Sequence, residues 1–378
     1  MTISESDPNR VPDVHRRAII VDGHCDTPYR LFRHNVHLDE HDTEAQADLR
    51  SLREGGITAS FFAAYVPPFY ADRGAAQFAH RLIDIIHAEA ARRPDELSFV
   101  TDSAGIRAAK KDGKLALMIG VEGGHAIEDS LDTLRGLYER GARYMTLTHV
   151  NTNNWCDSSG DAGRHGGLTD FGRDVVGTMN DLGMIVDVSH ISDNAFRDVL
   201  ATTRLPVVAT HSSCRALCNH PRNLTDDMLR DLAANGGVCM INFFSAFISD
   251  EAAQAVRKAA RRPKADVDGL GGTEELPDDR TDWDSYLHWF QALGCPRATL
   301  DQVVDHIIHA ASIAGIDHVG IGSDFDGVPS LPDHLHDASA LPLLTQRMLE
   351  RGMSETDVEK VLGGNFMRAF EQIEAAAK

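Results

Sequence analysis

Short apolar, β-branched runs recur along the chain at 18–22, 57–65, 115–121, 144–148, 184–189, 207–210, 238–243 and 318–322. Each reads as a buried strand, because its apolar residues are continuous rather than alternating with polar ones. Between most of them the apolar positions take up the 3.6-residue period of a helix. Thr169 has the character of an N-cap, and Phe171, Val175, Met179 and Leu182 then fall on one face before Gly183 closes the turn. Thr225 caps a second helix, with Asp226 and Asp227 in its positive first turn and an end near Gly236. Ser192 starts a third, and Asp301 opens a fourth whose apolar face is Val304, Ile307, Ile308 and Ala311. Eight strands alternating with helices predict a parallel sheet covered on both faces, closed as an α/β fold of the (β/α)₈ TIM-barrel type. An open doubly wound sheet would call for a glycine-rich phosphate loop or a strand-order signal, and the sequence has neither.

Two regions fall outside the repeat. Residues 250–299 follow the seventh run, are polar and punctuated by Gly and Pro, and read as an insertion over the barrel mouth. After the eighth run, helices are expected near 339–350, 354–362 and 364–376, with Ser354 and Asp357 resembling a capping box. No linker divides the chain, so residues 1–378 are expected to form one barrel domain.

Polar residues collect where the apolar runs stop. The stretch "AIIVDGHCDTP" ends in Asp22, His24 and Asp26, at alternate positions. "MIGVEGGH" runs into Glu122, "YMTLTHVN" into His149, "IVDVSHIS" into His190, "VVATHSS" into His211 and "VGIGSDFDG" into Asp324. Six of the eight runs thus deliver a histidine or carboxylate at the C-terminal end, and in a barrel those ends converge on the face that carries active sites. A lone histidine at a strand end is ordinarily structural, but this set would be costly to bury without partners. Neutral imidazole and carboxylate are the usual ligands of Zn²⁺, Mn²⁺ or Fe²⁺. The count allows two ions, one held by His24, Asp26 and Glu122 and one by Glu122, His190 and His211, with the Glu122 carboxylate bridging. His149 and Asp324 are then left for the substrate. Cys25 should face away from its neighbours by strand alternation. Asp22 shares the ligand face without an assigned task, and His125 stands open between supporting a ligand and lying in the loop.

Composition narrows the class. A net charge of −20 over 378 residues repels phosphate backbones and anionic lipid, which argues against nucleic-acid or membrane partners. No apolar run reaches the roughly 18 residues that span a bilayer. The N-terminal residues carry no signal-peptide segment and the C-terminal "FEQIEAAAK" no lipid-anchor signal, so a cytoplasmic protein is expected. Six cysteines are too few for a disulfide scaffold, and Cys214 and Cys218 read as free thiols rather than as a zinc clip with His211 and His220. A homodimer is the assembly to consider.

With these motifs in hand, the sequence resembles the membrane (renal) dipeptidase family, zinc metallopeptidases of the amidohydrolase-like barrels. The resemblance rests on "VDGHCDTP", "GVEGGHAI", "LTHVNTNNWCDS", "DVSHIS", "ATHSSCRALCNHPRNLTDD" and "GIGSDFDG", in that order from about residue 18 to 370. It implies two Zn²⁺ ions per chain, His24 and Asp26 on the first, His190 and His211 on the second, and Glu122 bridging where many barrel relatives use a modified lysine. It places His149 on the substrate carbonyl, Arg222 on the substrate's C-terminal carboxylate and Asp324 in proton transfer. A hydroxide held between the metals would attack the peptide bond of a dipeptide, L-D dipeptides included. Asp324 is preferred to Asp326 because it follows the apolar run directly. Of Phe243, Phe244 and Phe247, at least two are expected to pack rather than line a pocket. Two other functions remain in view: hydrolysis of another small amide (an acyl amino acid, a cyclic amide or a β-lactam), and metal binding without turnover.

Overall fold

The computed structural model describes residues 11–40, 45–260, 290 and 294–377. Among these residues nine parallel strands follow one another as β1 Val21–Cys25, β2 Ala59–Tyr65, β3 Leu97–Phe99, β4 Leu115–Glu122, β5 Ala142–Thr146, β6 Ile185–Asp187, β7 Val208–Ala209, β8 Val238–Ile241 and β9 Val319–Ile321. The sheet runs β2-β1-β9-β8-β7-β6-β5-β4, and β2 pairs β4 along its whole length, so eight strands close on themselves. This is the expected (β/α)₈ barrel. The sequence reading missed β3, which joins the outer edge of β4 through Leu97↔Leu115, Ser98↔Ala116 and Phe99↔Leu117. Three residues are too few to carry a periodic signal.

Both faces of the strands are buried, which explains their continuous apolar character. In β4, Leu115, Leu117, Ile119 and Val121 belong to the outer core under the helices, whereas Ala116 and Met118 point into the barrel. The interior also holds Val21, Phe61, Tyr144, Ile185, Val208 and Met240. The helix Asn365–Glu374 closes the interior from the end opposite the strand C-termini: it contributes Phe366, Phe370 and Ile373, and Phe366 meets Phe61 edge-on at 5.4 Å. The predicted helix starts are in place. Thr169, Ser192 and Thr225 accept from the backbone N–H of Gly172, Ala195 and Met228, caps worth about 1 kcal/mol each. The helix Leu300–Ala314 begins one residue before the expected opening and is capped by Thr299, and its buried face takes in Val303, His306 and Ala310 rather than Ile308 and Ala311.

At the C-terminus the helix Leu341–Glu350 matches expectation, the second, Glu355–Glu359, stops short of the expected 362, and Ser354 caps it through Asp357 N–H. The third is entered through a π-type turn, Lys360–Gly364. There Gly363 packs so closely on β1 that a Cβ would lie 2.3 Å from the Ile19 carbonyl oxygen. The expected insertion at 250–299 lies largely outside the described residues, and its start is the helix Asp250–Ala260. No described helix is long and apolar enough to cross a membrane.

Candidate metal centre

The strand C-termini bring the predicted residues to one place. Glu122, the last residue of β4, stands at the middle, 3 % exposed. Its Oε2 is 3.3 Å from His24 Nε2, and its Oε1 is 3.1 Å from His190 Nε2 and 3.4 Å from His211 Nε2. On the Oε2 side, Asp26 Oδ2 lies 3.4 Å from His24 Nε2. On the Oε1 side, the Nε2 atoms of His190 and His211 face each other at 2.9 Å. Three overlapping groups of potential ligand atoms result: His24, Glu122 and His211; Glu122, His149 and His190; and His24, Asp26 and Asp324.

The donor set fits divalent metal ions. His24 Nε2 and Asp26 Oδ1 are buried without a hydrogen-bond partner among the described residues, a state that costs free energy unless something else satisfies them. The electrostatics point the same way. Burial and the Glu122 carboxylate push Asp26 up to about 8, against the pull of His24. Burial works against charge on Glu122 too, but the neighbouring imidazoles, His24 first, outweigh it and hold Glu122 well below the carboxylate range. Burial keeps the His190 and His211 imidazoles below their ordinary value, and so neutral and able to ligate. A cation would relieve the packed carboxylates.

Local folding sets these positions. β1 does not stop before its polar residues, as the apolar run suggested, but continues through His24, because the barrel mouth supplies polar partners. Its register with β2 shifts between Asp22 and Cys25. Asp22 therefore does not share the ligand face: its carboxylate accepts from Ser323 N–H (2.8 Å) and Ser323 Oγ–H (2.7 Å), tying β1 to the turn that carries Asp324. Asp26 has left the strand and sits at the start of helix Thr27–His34. Cys25 is buried, its sulfur 3.0 Å from Thr27 Oγ1, and joins no ligand group. His190 and Asp324 hold left-handed backbone, φ 69° and 64°, a conformation uncommon outside glycine and typical of functional sites.

The remaining predicted residues separate by environment. Asp324 Oδ2 accepts from Asn242 Nδ2 at 2.7 Å, and its carboxylate reaches the His24 group. Asp326 instead accepts from Thr27 Oγ1, Arg30 Nε and Gln46 N–H, which commits it to structure. His149 is pulled down to about 4, by burial first, with Arg222 and nearby imidazoles adding and Glu122 opposing, so it is a neutral imidazole. Arg222 is buried and lowered to about 10 by burial. It donates to His211 O (2.9 Å) and Ser212 Oγ (3.2 Å), its Nε has no partner, and it has no ion pair among the described residues. Its guanidinium lies 5.3 Å from the Phe247 ring centroid. His125 lies against Val66 and Pro67 and joins no ligand group. Cys214 and Cys218 are free and buried, as expected.

Above the centre opens a cavity of about 270 Å³. Asp26, Glu122, His149, His190 and Asp324 form its polar wall, and Tyr29, Tyr65, Val150, Phe244, Phe247 and Val328 its apolar one. Phe243 alone packs away from it, against Phe325. The expectation that at least two of the three phenylalanines would only pack is thus corrected, because the turn after β8 carries Phe244 and Phe247 onto the rim. Sequence reasoning also missed residues that hold the histidines. Tyr144 Oη is 2.7 Å from His24 Nδ1, and its ring fits only because Gly120 has no side chain, a Cβ there lying 2.0 Å from Tyr144 Cζ. Thr210 Oγ1 is 2.8 Å from His211 Nδ1 and donates to Asp187 Oδ2 at 2.7 Å. The available signal was a hydroxyl or carboxylate at an inward strand position, which demands a partner.

Comparison with known proteins agrees with this geometry. Residues 9–378 match the membrane dipeptidase family, peptidase family M19. The chain is 36% identical over 373 residues to the dipeptidase verJ of Clonostachys rogersoniana, covering 94% of this chain and 84% of that protein. Among solved structures it is similar to the probable dipeptidase PvdM of Pseudomonas aeruginosa, at 27% identity and TM-score 0.81, covering 97% and 98% of the two chains. It is also similar to a metallopeptidase of Rhodobacter sphaeroides liganded with a phosphinate mimic of the dipeptide L-Ala-D-Ala, at 25% identity and TM-score 0.73, covering 94% and 99%.

Proposed function

Because the chain belongs to the membrane dipeptidase family and is a peptide-bond hydrolase of the dipeptidase class, we propose that it cleaves dipeptides, L-D dipeptides among them, with two zinc ions. The observation that carries the two-ion reading is the division of Glu122: one oxygen faces His24 and Asp26, the other His190 and His211. In this reading His24, Asp26 and Glu122 hold one ion, and Glu122, His190 and His211 the other. When bound, the pair lowers the pKa of a water toward neutrality and polarises the substrate carbonyl.

The chain's own groups do the rest. Asp324, fixed on one oxygen by Asn242, accepts the proton of the attacking water and returns it to the departing amine. His149, neutral at physiological pH, donates an N–H to the carbonyl oxygen as charge builds there. Arg222, a buried cation without an ion pair among the described residues, attracts the substrate's free carboxylate. The cavity, about 270 Å³, lies at the small end of ligand pockets, which suits a dipeptide rather than a longer chain. The relative liganded with the L-Ala-D-Ala mimic supports acceptance of a D-residue at the C-terminal position.

A library of L-L and L-D dipeptides, each also as its C-terminal amide, assayed with added zinc, tests this reading. Free dipeptides should turn over, and their amides should lose most of kcat/KM. Equal hydrolysis of acids and amides would remove Arg222 from its role. Hydrolysis of acyl amino acids or cyclic amides alone would replace the substrate class.

A further inference from the structure

The motif "DVSH" contains a carboxylate that the proposed chemistry does not use. Asp187, the last residue of β6, is fully buried beneath the centre, and its hydrogen bonds among the described residues reach no histidine. Both its oxygens are filled. Oδ1 accepts from Ser189 N–H at 2.9 Å and Thr210 N–H at 3.0 Å; Oδ2 accepts from Thr146 Oγ1–H at 2.6 Å and Thr210 Oγ1–H at 2.7 Å. A carboxylate cannot donate, so both hydroxyl protons must point at Asp187.

That fixes the next link. Thr210 has a single hydroxyl proton, and Asp187 takes it. Toward His211 Nδ1, 2.8 Å away, the Thr210 oxygen can then only accept. Nδ1 must therefore carry the imidazole proton, which leaves the lone pair on Nε2, the atom 3.4 Å from Glu122 Oε1. Only that tautomer can ligate a metal through Nε2. The other two histidines are held differently. His24 Nδ1 meets the Tyr144 phenol, which can either donate or accept, and His190 Nδ1 has no partner among the described residues.

We propose that Asp187 and Thr210 are positioning residues that lock His211 in its metal-binding tautomer through a hydrogen-bonded relay running from Asp187 through Thr210 to His211 Nδ1. The part of this that concerns metal rests on the proposed two-ion site; the tautomer does not. Asp187 also staples the ends of β6 and β7, so a purely structural role must be separable from the relay.

The substitution Asp187→Asn separates them. Two backbone N–H groups face Oδ1, so the Asn carbonyl is drawn there and its NH₂ falls where Oδ2 was. The amide then donates to Thr210 Oγ1 and frees the hydroxyl proton to turn toward His211 Nδ1. The relay reverses, and His211 takes its proton on Nε2 instead.

The direct test is ¹⁵N NMR of the metal-free full chain with labelled histidine, the His211 signals being assigned by their loss in His211→Gln. Wild type should show a protonated Nδ1 and a bare Nε2, Asp187→Asn the opposite, and Thr210→Ser the wild-type pattern. Should Asp187→Asn fail to fold, Thr210→Val serves in its place and should show His211 no longer confined to one tautomer. In zinc titrations, Asp187→Asn and Thr210→Val should weaken one of the two ions by about 10–100-fold, the usual cost of losing a group that orients a ligand, while Thr210→Ser keeps it. A wild-type His211 protonated on Nε2, or a pattern in Asp187→Asn and Thr210→Val unchanged from wild type, would overturn the relay. If the tautomers behave as described but wild type binds fewer than two zinc ions, the relay stands and the two-ion reading fails.

Discussion

At the scale of single residues, the account turns on which carboxylate carries the proton. Asp324 and Asp326 are two apart and both border the cavity, yet their partners divide them: Asp326 is committed to Thr27, Arg30 and Gln46, while the Asp324 carboxylate accepts from Asn242 alone among the described residues and turns toward His24. We expect Asp324→Asn to retain two zinc ions and lose about 10²–10⁴-fold in kcat, the contribution typical of a general acid–base group. Metal analysis beside steady-state kinetics checks both halves; loss of an ion would make Asp324 a ligand instead. Much of this site was legible in the sequence because it is written as polar interruptions of apolar runs: His24, Asp26, Glu122, His149, His190, His211 and Asp324. What was not legible is what holds them. Asp22 was placed on the wrong face because the shift in β1 pairing breaks the alternation, and a one-residue slip reverses a side chain. Tyr144 looked like an ordinary member of an apolar strand, and its phenol acquires meaning only when the barrel brings it to His24.

At the scale of elements, the long runs were read correctly and the short ones only approximately. β6 and β7 are three and two residues long, shorter than the apolar stretches 184–189 and 207–210, because the chain turns away from the sheet to present His190 and His211. The helix Leu300–Ala314 carries a buried titratable group, His306, 1 % exposed. Its Nδ1 accepts from Cys214 N–H at 3.0 Å, and its Nε2–H donates to Ile248 O at 2.9 Å, so it joins this helix to the segments after β7 and β8. Burial, partly offset by the Ile248 bond, lowers it from 6.5 to about 4. The unfolded chain therefore binds the proton more readily than the fold. Stability from this group is complete above about pH 6.5, declines as pH falls, and has been lost once pH reaches about 4, a difference of about 3 kcal/mol. His306→Gln can keep both hydrogen bonds without titrating. Urea unfolding between pH 7 and pH 4 should show a shallower decline in the variant than in wild type; parallel curves would remove His306 from the acid response.

At the scale of the whole molecule, the fold divides labour between the two ends of the barrel. Phe366, Phe370 and Ile373 fill the end away from the site and leave the interior apolar up to Tyr144. The other end gathers the candidate ligand residues and the cavity. The eightfold alternation made this architecture legible, since strand, helix and strand-end chemistry all repeat. The added strand β3, the π-type turn and the rim position of Phe247 depend on packing between distant segments and left no local trace. Whether dipeptide cleavage needs two ions held through Glu122 is decided by measuring turnover of an L-D dipeptide as zinc is returned to metal-free protein. Turnover should rise to its plateau at two zinc ions per chain. Full turnover at one ion per chain, or none at two, would contradict it.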